Sequence, residues 1–242
     1  MLFCFLFPSQ DLTRRQASLP PSHTPAMDAD KFIKLLATTD GRDKIYKVLA
    51  NVSKIVGWVN EADKVSAKKW NALSKSIGEG RSLMRMAKWV GNVQKLQGYA
   101  AKAGSLTSRQ FLEILRVIGD FGYILGDNLA YLSKYGILPL NAENAAKQSK
   151  IFQFWGYIMA TILDALSLSG LAAKQAKMDA AAFAAEQQAL VLSFVKNAAD
   201  TLATLASVGY MKSMYNPSIG FTSLCGATSG AIATYQNWTK LK

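Results

Sequence analysis

Polar and apolar positions recur at helical spacing along the chain, and no stretch sustains the strict alternation of a half-buried β-strand. Ala, Leu and Lys are common throughout, and all three favour helices. The pattern therefore predicts an all-α fold. Three helices are expected in the first half of the chain: residues 28–37, a second one capped by Thr39 or Asp40 and ending near Val59, and a long third one from about Ala67 to about Ala103.

The most distinctive pattern lies in residues 81–102, which carry five cations and no acid. At about 100° per residue the cations share one side of the helix and the large apolar residues share the other. The cationic side carries Arg81, Arg85, Lys88, Lys95 and Lys102, and the apolar side carries Leu83, Met86, Trp89, Val90, Val93 and Leu96. The segment is predicted to be an amphipathic, purely basic helix.

Long apolar segments dominate the second half of the chain. Residues 151–173 hold one charge, Asp164, and are long enough to cross an apolar core about 30 Å thick. Residues 217–238 are uncharged and contain the small-residue motif "GATSG", in which Gly226 and Gly230 would let two helices approach closely. These two segments are predicted to span a membrane. Residues 117–133 are a possible third span, whereas 188–211 are expected to be interfacial or packed on their neighbours.

Charge divides the chain in the same way as apolarity. Of the net charge of +12, residues 27–109 contribute 16 Lys or Arg against 7 Asp or Glu, and residues 110–242 contribute 10 against 8. We therefore expect a basic, amphipathic helical region over 27–109 facing the cytosol and a membrane-embedded helical region over 110–242. Residues 1–26 are expected to be a disordered tail or a mis-assigned start, with Met27 as the true one.

Catalytic and metal-binding patterns are missing from the sequence. His23 is the only histidine and lies in the expected tail, so nucleophilic triads are unavailable to the remainder of the chain. The spacings of a zinc site or a phosphate-binding loop are absent too, so we expect no cofactor, no metal and no enzymatic activity. Four carboxylates in apolar surroundings are expected to cap helices, face one another or meet a lysine of a neighbouring helix, with a polar seam for a solute as the alternative: Asp120, Asp127, Asp164 and Asp200.

Three environments could explain the amphipathic pattern of residues 81–102. A nucleic acid would explain the cations but not the wide apolar side, so no nucleic acid is expected. The cationic side could simply be solvated while the apolar side packs on other helices. An anionic membrane surface accounts for both sides, since apolar residues insert between headgroups while each cation contributes about 1 kcal/mol. We favour the membrane surface, because predicted spans tether this helix beside a bilayer.

Several segments resemble the peroxin-11 family of peroxisomal membrane proteins, from Met27 to the end of the chain. "TTDGRDKIYKVL" resembles its N-terminal signature, with Gly41, Arg42, Asp43 and Lys44 as the motif core, and "SIGEGRSLMRMAKWV" resembles its basic amphipathic helix. Ser82 and Met84 depart from the Lys and Phe that are usual there. "GDNLAYLSKYGIL", "VKNAADTLATLASVGY" and "GATSGAIATYQNW" are similar to later parts of the family pattern.

The resemblance implies a homo-oligomer of the peroxisomal membrane, or of the glycosomal membrane where peroxisomes house glycolysis, with its termini in the cytosol. It also implies that the amphipathic helix elongates and tubulates the membrane and that fission factors are recruited, including a dynamin-related GTPase and its membrane receptor. Two alternatives stay open: a pore for small metabolites lined by the Asp-bearing segments, and an adaptor whose basic face docks fission proteins. For residues 39–44, a solvated turn and cap is weighed against an intermolecular or regulatory contact.

Overall fold

A computed structural model describes residues 25–101, 103–173, 175 and 178–241. Within these ranges the chain is helical and contains no β-strand, so the predicted all-α fold is confirmed. A short 3₁₀ turn, Ala103–Ser105, precedes the fifth helix. The eight described helices are α1 Pro25–Ala37, α2 Thr39–Val59, α3 Lys64–Met84, α4 Trp89–Ala100, α5 Ser108–Lys134, α6 Ala142–Ala172, α7 Ala180–Val208 and α8 Ile219–Lys240.

Six of these helices begin at a side chain that accepts a hydrogen bond from the backbone N–H groups of the first turn. For α2 this residue is Thr38, whose Oγ1 accepts from Gly41 N at 3.0 Å, so the predicted caps Thr39 and Asp40 are wrong. The correction matters because it leaves the Asp40 carboxylate available for longer-range contacts.

The predicted long third helix is broken. α3 ends at Met84 and α4 begins at Trp89, with Ala87 between them at a φ of +62°. The break does not fall at the helix-weakening glycines Gly78 and Gly80, because both lie inside α3. Ala87 N donates instead to Asn128 Oδ1 of α5 at 3.1 Å, so a distant side chain stabilises a left-handed backbone that costs about 1–2 kcal/mol.

The helices form a ring. Starting at α2, each helix packs on the next in the order α2, α8, α7, α6 and α5. The ring is completed by α3, which packs on both α5 and α2, and α4 also packs on α5. Small residues allow the most extensive contact, between α5 and α6: a Cβ on Gly119 would lie 2.5 Å from Gly156 Cα. The first and second halves of the chain therefore meet in one assembly of helices.

Apolar and polar residues are arranged in the opposite way to a soluble protein. Among the described residues, the fully buried side chains include more polar and charged ones than apolar ones, while many large apolar side chains are exposed on the outside of the ring. A surface of this kind fits a bilayer better than water, because lipid tails solvate apolar side chains while the polar groups face one another. Exposed examples from five helices are Leu83, Val90, Phe111, Trp155 and Leu224.

Two described helices, α6 and α7, are long and apolar enough to cross a membrane, as judged by length and composition. α6 contains all but the last residue of the predicted span 151–173. The second is α7, whereas the predicted span 217–238 forms α8, which does not pass the same test. Its many Ser, Thr, Gln and Asn residues lower its mean hydropathy, while α7 gains from its alanines and leucines. In both α6 and α7 only about a fifth of the most apolar window is buried inside the protein.

Candidate functional site

The three best-matched sequence motifs meet in one ion cluster inside the ring. Asp43 Oδ1, on α2, accepts hydrogen bonds from Arg81 Nε at 3.0 Å and from Arg85 Nη1 at 3.1 Å. On the other side, Arg85 Nη2 donates to Asp127 Oδ2 of α5 at 2.9 Å, and Ser82 Oγ donates to Asp127 Oδ1 at 3.1 Å. We call Asp43, Arg81, Arg85 and Asp127 the ion cluster. It joins α2, the C-terminal end of α3 and α5.

The ion cluster is shielded from solvent. Asp43 is 2% exposed and Arg85 is 8% exposed. Burial raises the pKa of the Asp43 carboxyl, but Arg81, Lys44 and Arg85 outweigh burial and hold that pKa at about 2. A carboxylate in this setting remains charged at any physiological pH, and the two arginines cannot leave it without exposing an unpaired buried charge.

A second buried ion pair lies across the ring. Lys47 Nζ, on α2, contacts both carboxylate oxygens of Asp200 at 2.6 and 2.8 Å, and Ser229 Oγ of α8 donates to Asp200 Oδ1 at 2.6 Å. This triad connects α2, α7 and α8. The expectation that an Asp in apolar surroundings meets a lysine of another helix is confirmed for Asp200. Asp164 is satisfied differently, by Ser193 Oγ and Asn197 Nδ2 of α7.

The ion cluster and the pair of Lys47 and Asp200 both line a cavity of about 730 Å³. The ring encloses this cavity, which is partly open. Among the described residues, ten of the side chains that line the cavity are Lys or Arg and five are Asp, so positive charges exceed negative ones by five. Asp164 does not line it. The interior therefore carries a net positive charge within an apolar exterior.

In residues 81–100 the basic side faces the cavity and not the outside of the ring, where lipid would lie. The predicted cationic residues face the cavity: Arg81 and Arg85 belong to the ion cluster, Lys88 Nζ lies 3.5 Å from Asp40 Oδ1, and Lys95 lines the cavity wall. Lys102 lies outside the described residues. The expectation that these cations cover a solvated or headgroup-facing surface is thus wrong for Arg81 and Arg85, because Asp43 and Asp127 hold them inside.

The apolar side of the same segment faces outwards next to the break between α3 and α4. Leu83 is 55% exposed and Val90 is 45% exposed, on either side of the break. Trp89 packs edge-on against Phe121 with ring centroids 6.4 Å apart. The remaining predicted membrane-binding residues are only partly exposed: Met86, Val93 and Leu96.

Of the other predicted motif residues, Lys44 and Gly226 line the cavity, whereas Gly41, Arg42 and Gly230 do not. A Cβ on Gly41 would overlap Leu35 O, while Arg42 is exposed and Lys44 Nζ lies 3.4 Å from Asp43 Oδ2. Asp43 is therefore part of neither a solvated turn nor an exposed contact surface. Gly226 and Gly230 lie against α2 of the same chain, where Cβ atoms would meet the side chains of Asn51 and Val48.

Sequence reasoning missed several residues that build the site, namely Lys47, Asn128 and Ser229. Asn128 holds the break between α3 and α4, and Lys47 and Ser229 hold Asp200. One usable signal was spacing: Asp40, Asp43 and Lys47 are separated by three and four residues and so share one side of α2.

Comparison with known proteins gives a consistent result. The family model "Peroxisomal biogenesis factor 11 (PEX11)" matches residues 29–238. The chain is similar to peroxisomal membrane protein 11B of Arabidopsis thaliana, with 31% identity over 57% of this chain and 60% of the relative. It is also similar to the peroxisomal membrane protein 11 homolog of Dictyostelium discoideum, with 24% identity over 60% and 58%. The matches thus span about three fifths of each relative's length. No solved structure matches the chain.

Proposed function

The chain belongs to the peroxisomal biogenesis factor 11 (PEX11) family, and we propose on this basis that it elongates and divides the peroxisomal membrane. The family acts in peroxisome membrane biogenesis and is not a known enzyme family, and two apolar helices fit association with a membrane. In the proposed mechanism, residues 81–100 lie in the cytosolic leaflet and expand it. Homo-oligomerisation concentrates this local expansion into curvature.

The observation that supports insertion is the outward position of Leu83 and Val90. They flank the break between α3 and α4, so two successive helices present apolar side chains on the outer surface of the ring. Burial of each such side chain in lipid contributes about 1.5–3 kcal/mol. The apolar side thus supplies the main driving force for insertion.

The cations contribute less to lipid binding than the sequence suggests. Arg81 and Arg85 are held by Asp43 and Asp127 at 2.9–3.1 Å. Attraction of these two arginines to anionic headgroups would require their release from a buried cluster, at a cost of several kcal/mol. We therefore propose that the folded segment inserts through its apolar side, with anionic lipids attracted by the exposed cations elsewhere on the basic half of the chain.

Vesicle tubulation by the full-length protein tests this mechanism. Reconstitution of Leu83→Glu and Val90→Glu into negatively charged vesicles is expected to abolish tubulation, because each change places a carboxylate in the leaflet. Val65→Glu is the matched control, since Val65 is also an exposed apolar residue of α3 but lies outside the segment. Unchanged tubulation by both segment variants would contradict the proposed insertion.

The proposed partners and topology follow from the family alone. We propose a homo-oligomer that recruits a dynamin-related GTPase and its membrane receptor, in the peroxisomal or glycosomal membrane with both termini in the cytosol. Because Gly226 and Gly230 already face α2, self-association through this motif would have to displace α2, and another surface is a better candidate. Protease digestion of terminal tags on intact organelles tests the topology: protected tags would contradict cytosolic termini.

A second candidate function is passage of small metabolites through the protein, as the ring of helices around a polar cavity of about 730 Å³ favours. The lining differs from the Asp-lined pore expected from sequence, because Asp127 is engaged by Arg85 and Asp164 lies outside the lining. Ion conductance across bilayers containing the purified protein tests this function. A conductance that is unchanged by Lys150→Glu, a charge reversal in the lining, would argue against passage through this cavity.

A further inference from the structure

We propose that the cavity is a binding site for a multiply charged anion, of the class formed by phosphate esters and pyrophosphates. The supporting observation is a set of five basic side chains, which we call the unpaired cations. Each lines the cavity, comes from a different helix and has no acidic group within 4 Å in the described part of the chain. The set comprises Lys54 of α2, Lys95 of α4, Arg116 of α5, Lys150 of α6 and Lys196 of α7.

The remaining charges of the cavity balance almost completely. The ion cluster of Asp43, Arg81, Arg85 and Asp127 is neutral, and so is the pair of Lys47 and Asp200. The excess of positive charge therefore lies mainly on the unpaired cations. Among the described residues, Asp120 is the one carboxylate in the lining that forms no ion pair.

Neutral hydrogen-bond partners leave this excess in place. Lys150 Nζ donates to Gln153 Oε1 at 3.0 Å, and Lys196 Nζ donates to Gln236 Oε1 at 3.2 Å. An amide oxygen satisfies one N–H of each ammonium group and compensates no charge, so the other donors can reach a ligand. A concave site with one dominant sign of charge and low-dielectric walls concentrates counter-ions of the opposite sign.

The dimensions fit a small metabolite. Protein sites for small ligands commonly enclose about 300–1,000 Å³, and the cavity is within this range at about 730 Å³. Cations that converge from five helices can surround several anionic oxygens at once, and charge-assisted hydrogen bonds to phosphate oxygens are among the strongest. The same chemistry is offered by a free phosphorylated solute and by a phosphorylated lipid headgroup that enters through the open part of the cavity. The inference goes beyond membrane remodelling and does not depend on it.

Binding of inorganic pyrophosphate to the full chain tests the inference. The protein is placed in nanodiscs of phosphatidylcholine, which have no net charge and cannot be tubulated, and binding is measured by isothermal titration calorimetry. The double variant Lys54→Gln/Lys150→Gln is expected to weaken binding by about a hundredfold or more, since it removes two of the charge-assisted hydrogen bonds to the anion. The matched control is Lys68→Gln/Lys69→Gln, which removes the same charge from exposed positions of α3 outside the lining.

Each result supports or overturns the site. Undetectable binding to the wild-type protein at about 1 mM pyrophosphate, or an equal loss in the control variant, would overturn it. A loss confined to the cavity variant supports it. A second set of nanodiscs containing phosphatidylinositol bisphosphate then identifies the source: weakened pyrophosphate binding there indicates that a lipid headgroup occupies the cavity, and unchanged binding indicates a free solute. Failure of binding would leave the tubulation experiment unaffected.

Discussion

Replacement of Asp43 by Asn is expected to destabilise the folded protein more than replacement of Asp40, the other carboxylate of α2, by Asn. The carboxylate is 2% exposed and contacts two arginines at 3.0 and 3.1 Å. Asn keeps the shape but removes the charge, which leaves Arg81 without a charged partner and Arg85 with Asp127 only. Breaking a buried pair in this way typically costs about 3–5 kcal/mol.

The pKa of Asp43 predicts how this contribution to stability depends on pH. It is about 2 in the folded protein, against an ordinary value of 3.8. Since the folded pKa is depressed, the carboxylate stabilises the fold fully above pH 3.8, and this contribution is lost as the pH falls towards 2. A depression of this size corresponds to about 2 kcal/mol. The difference in stability between the wild type and Asp43→Asn should therefore shrink as the solution is acidified below pH 4.

Thermal unfolding of the detergent-solubilised full chain, followed by circular dichroism between pH 7 and pH 2.5, measures both effects. Asp40→Asn is the control: Asp40 is on the same helix and contacts Lys44 and Lys88, but half of its side chain is exposed. Pairs of this kind contribute at most about 1 kcal/mol. If Asp43→Asn matched Asp40→Asn at neutral pH, or if its deficit persisted unchanged at pH 2.5, the reasoning would be refuted.

Three further substitutions have defined outcomes. Gly119→Ala should cost about 1–3 kcal/mol in the same unfolding assay, because its Cβ would lie 2.5 Å from backbone Gly156 Cα, whereas Gly78→Ala meets no neighbour within 4 Å and should be neutral or stabilising. Lys47→Ala should destabilise by several kcal/mol because Asp200 is left charged and buried; recovery in a Lys47→Met/Asp200→Leu double variant separates this from lost packing. Asn128→Ala removes the acceptor of Ala87 N and should increase amide hydrogen exchange at residues 85–90, and an unchanged exchange rate would contradict its role.

The amphipathic pattern of residues 81–102 illustrates how far periodicity reaches. Spacing correctly groups Arg81, Arg85, Lys88 and Lys95 on one side, and all four line the same cavity. It does not reveal what that side contacts, because a cationic side suits water, a headgroup layer or a set of buried carboxylates equally well. The carboxylates that settle the matter, Asp43 and Asp127, are 38 residues or more away in the chain.

Local spacing alone could not predict where the third helix ends. The break at Ala87 depends on Asn128, 41 residues further along, so no local propensity announces it. The prediction that residues 217–238, and not α7, would form the second span was wrong for a related reason. Lys196 and Asp200 look prohibitive in a linear reading, but Gln236, Lys47 and Ser229 satisfy them inside the ring.

By itself, the sequence determined the helical fold, the apolar character of the second half and the family, since these follow from periodicity, composition and motifs that are read locally. The tertiary structure alone decided which way the charges point. An apolar exterior favours polar groups on the inside, where ion pairs between distant helices satisfy them. The pairing of Asp43 with Arg81 and Arg85, and the excess of cations around the cavity, exist only once the ring has closed.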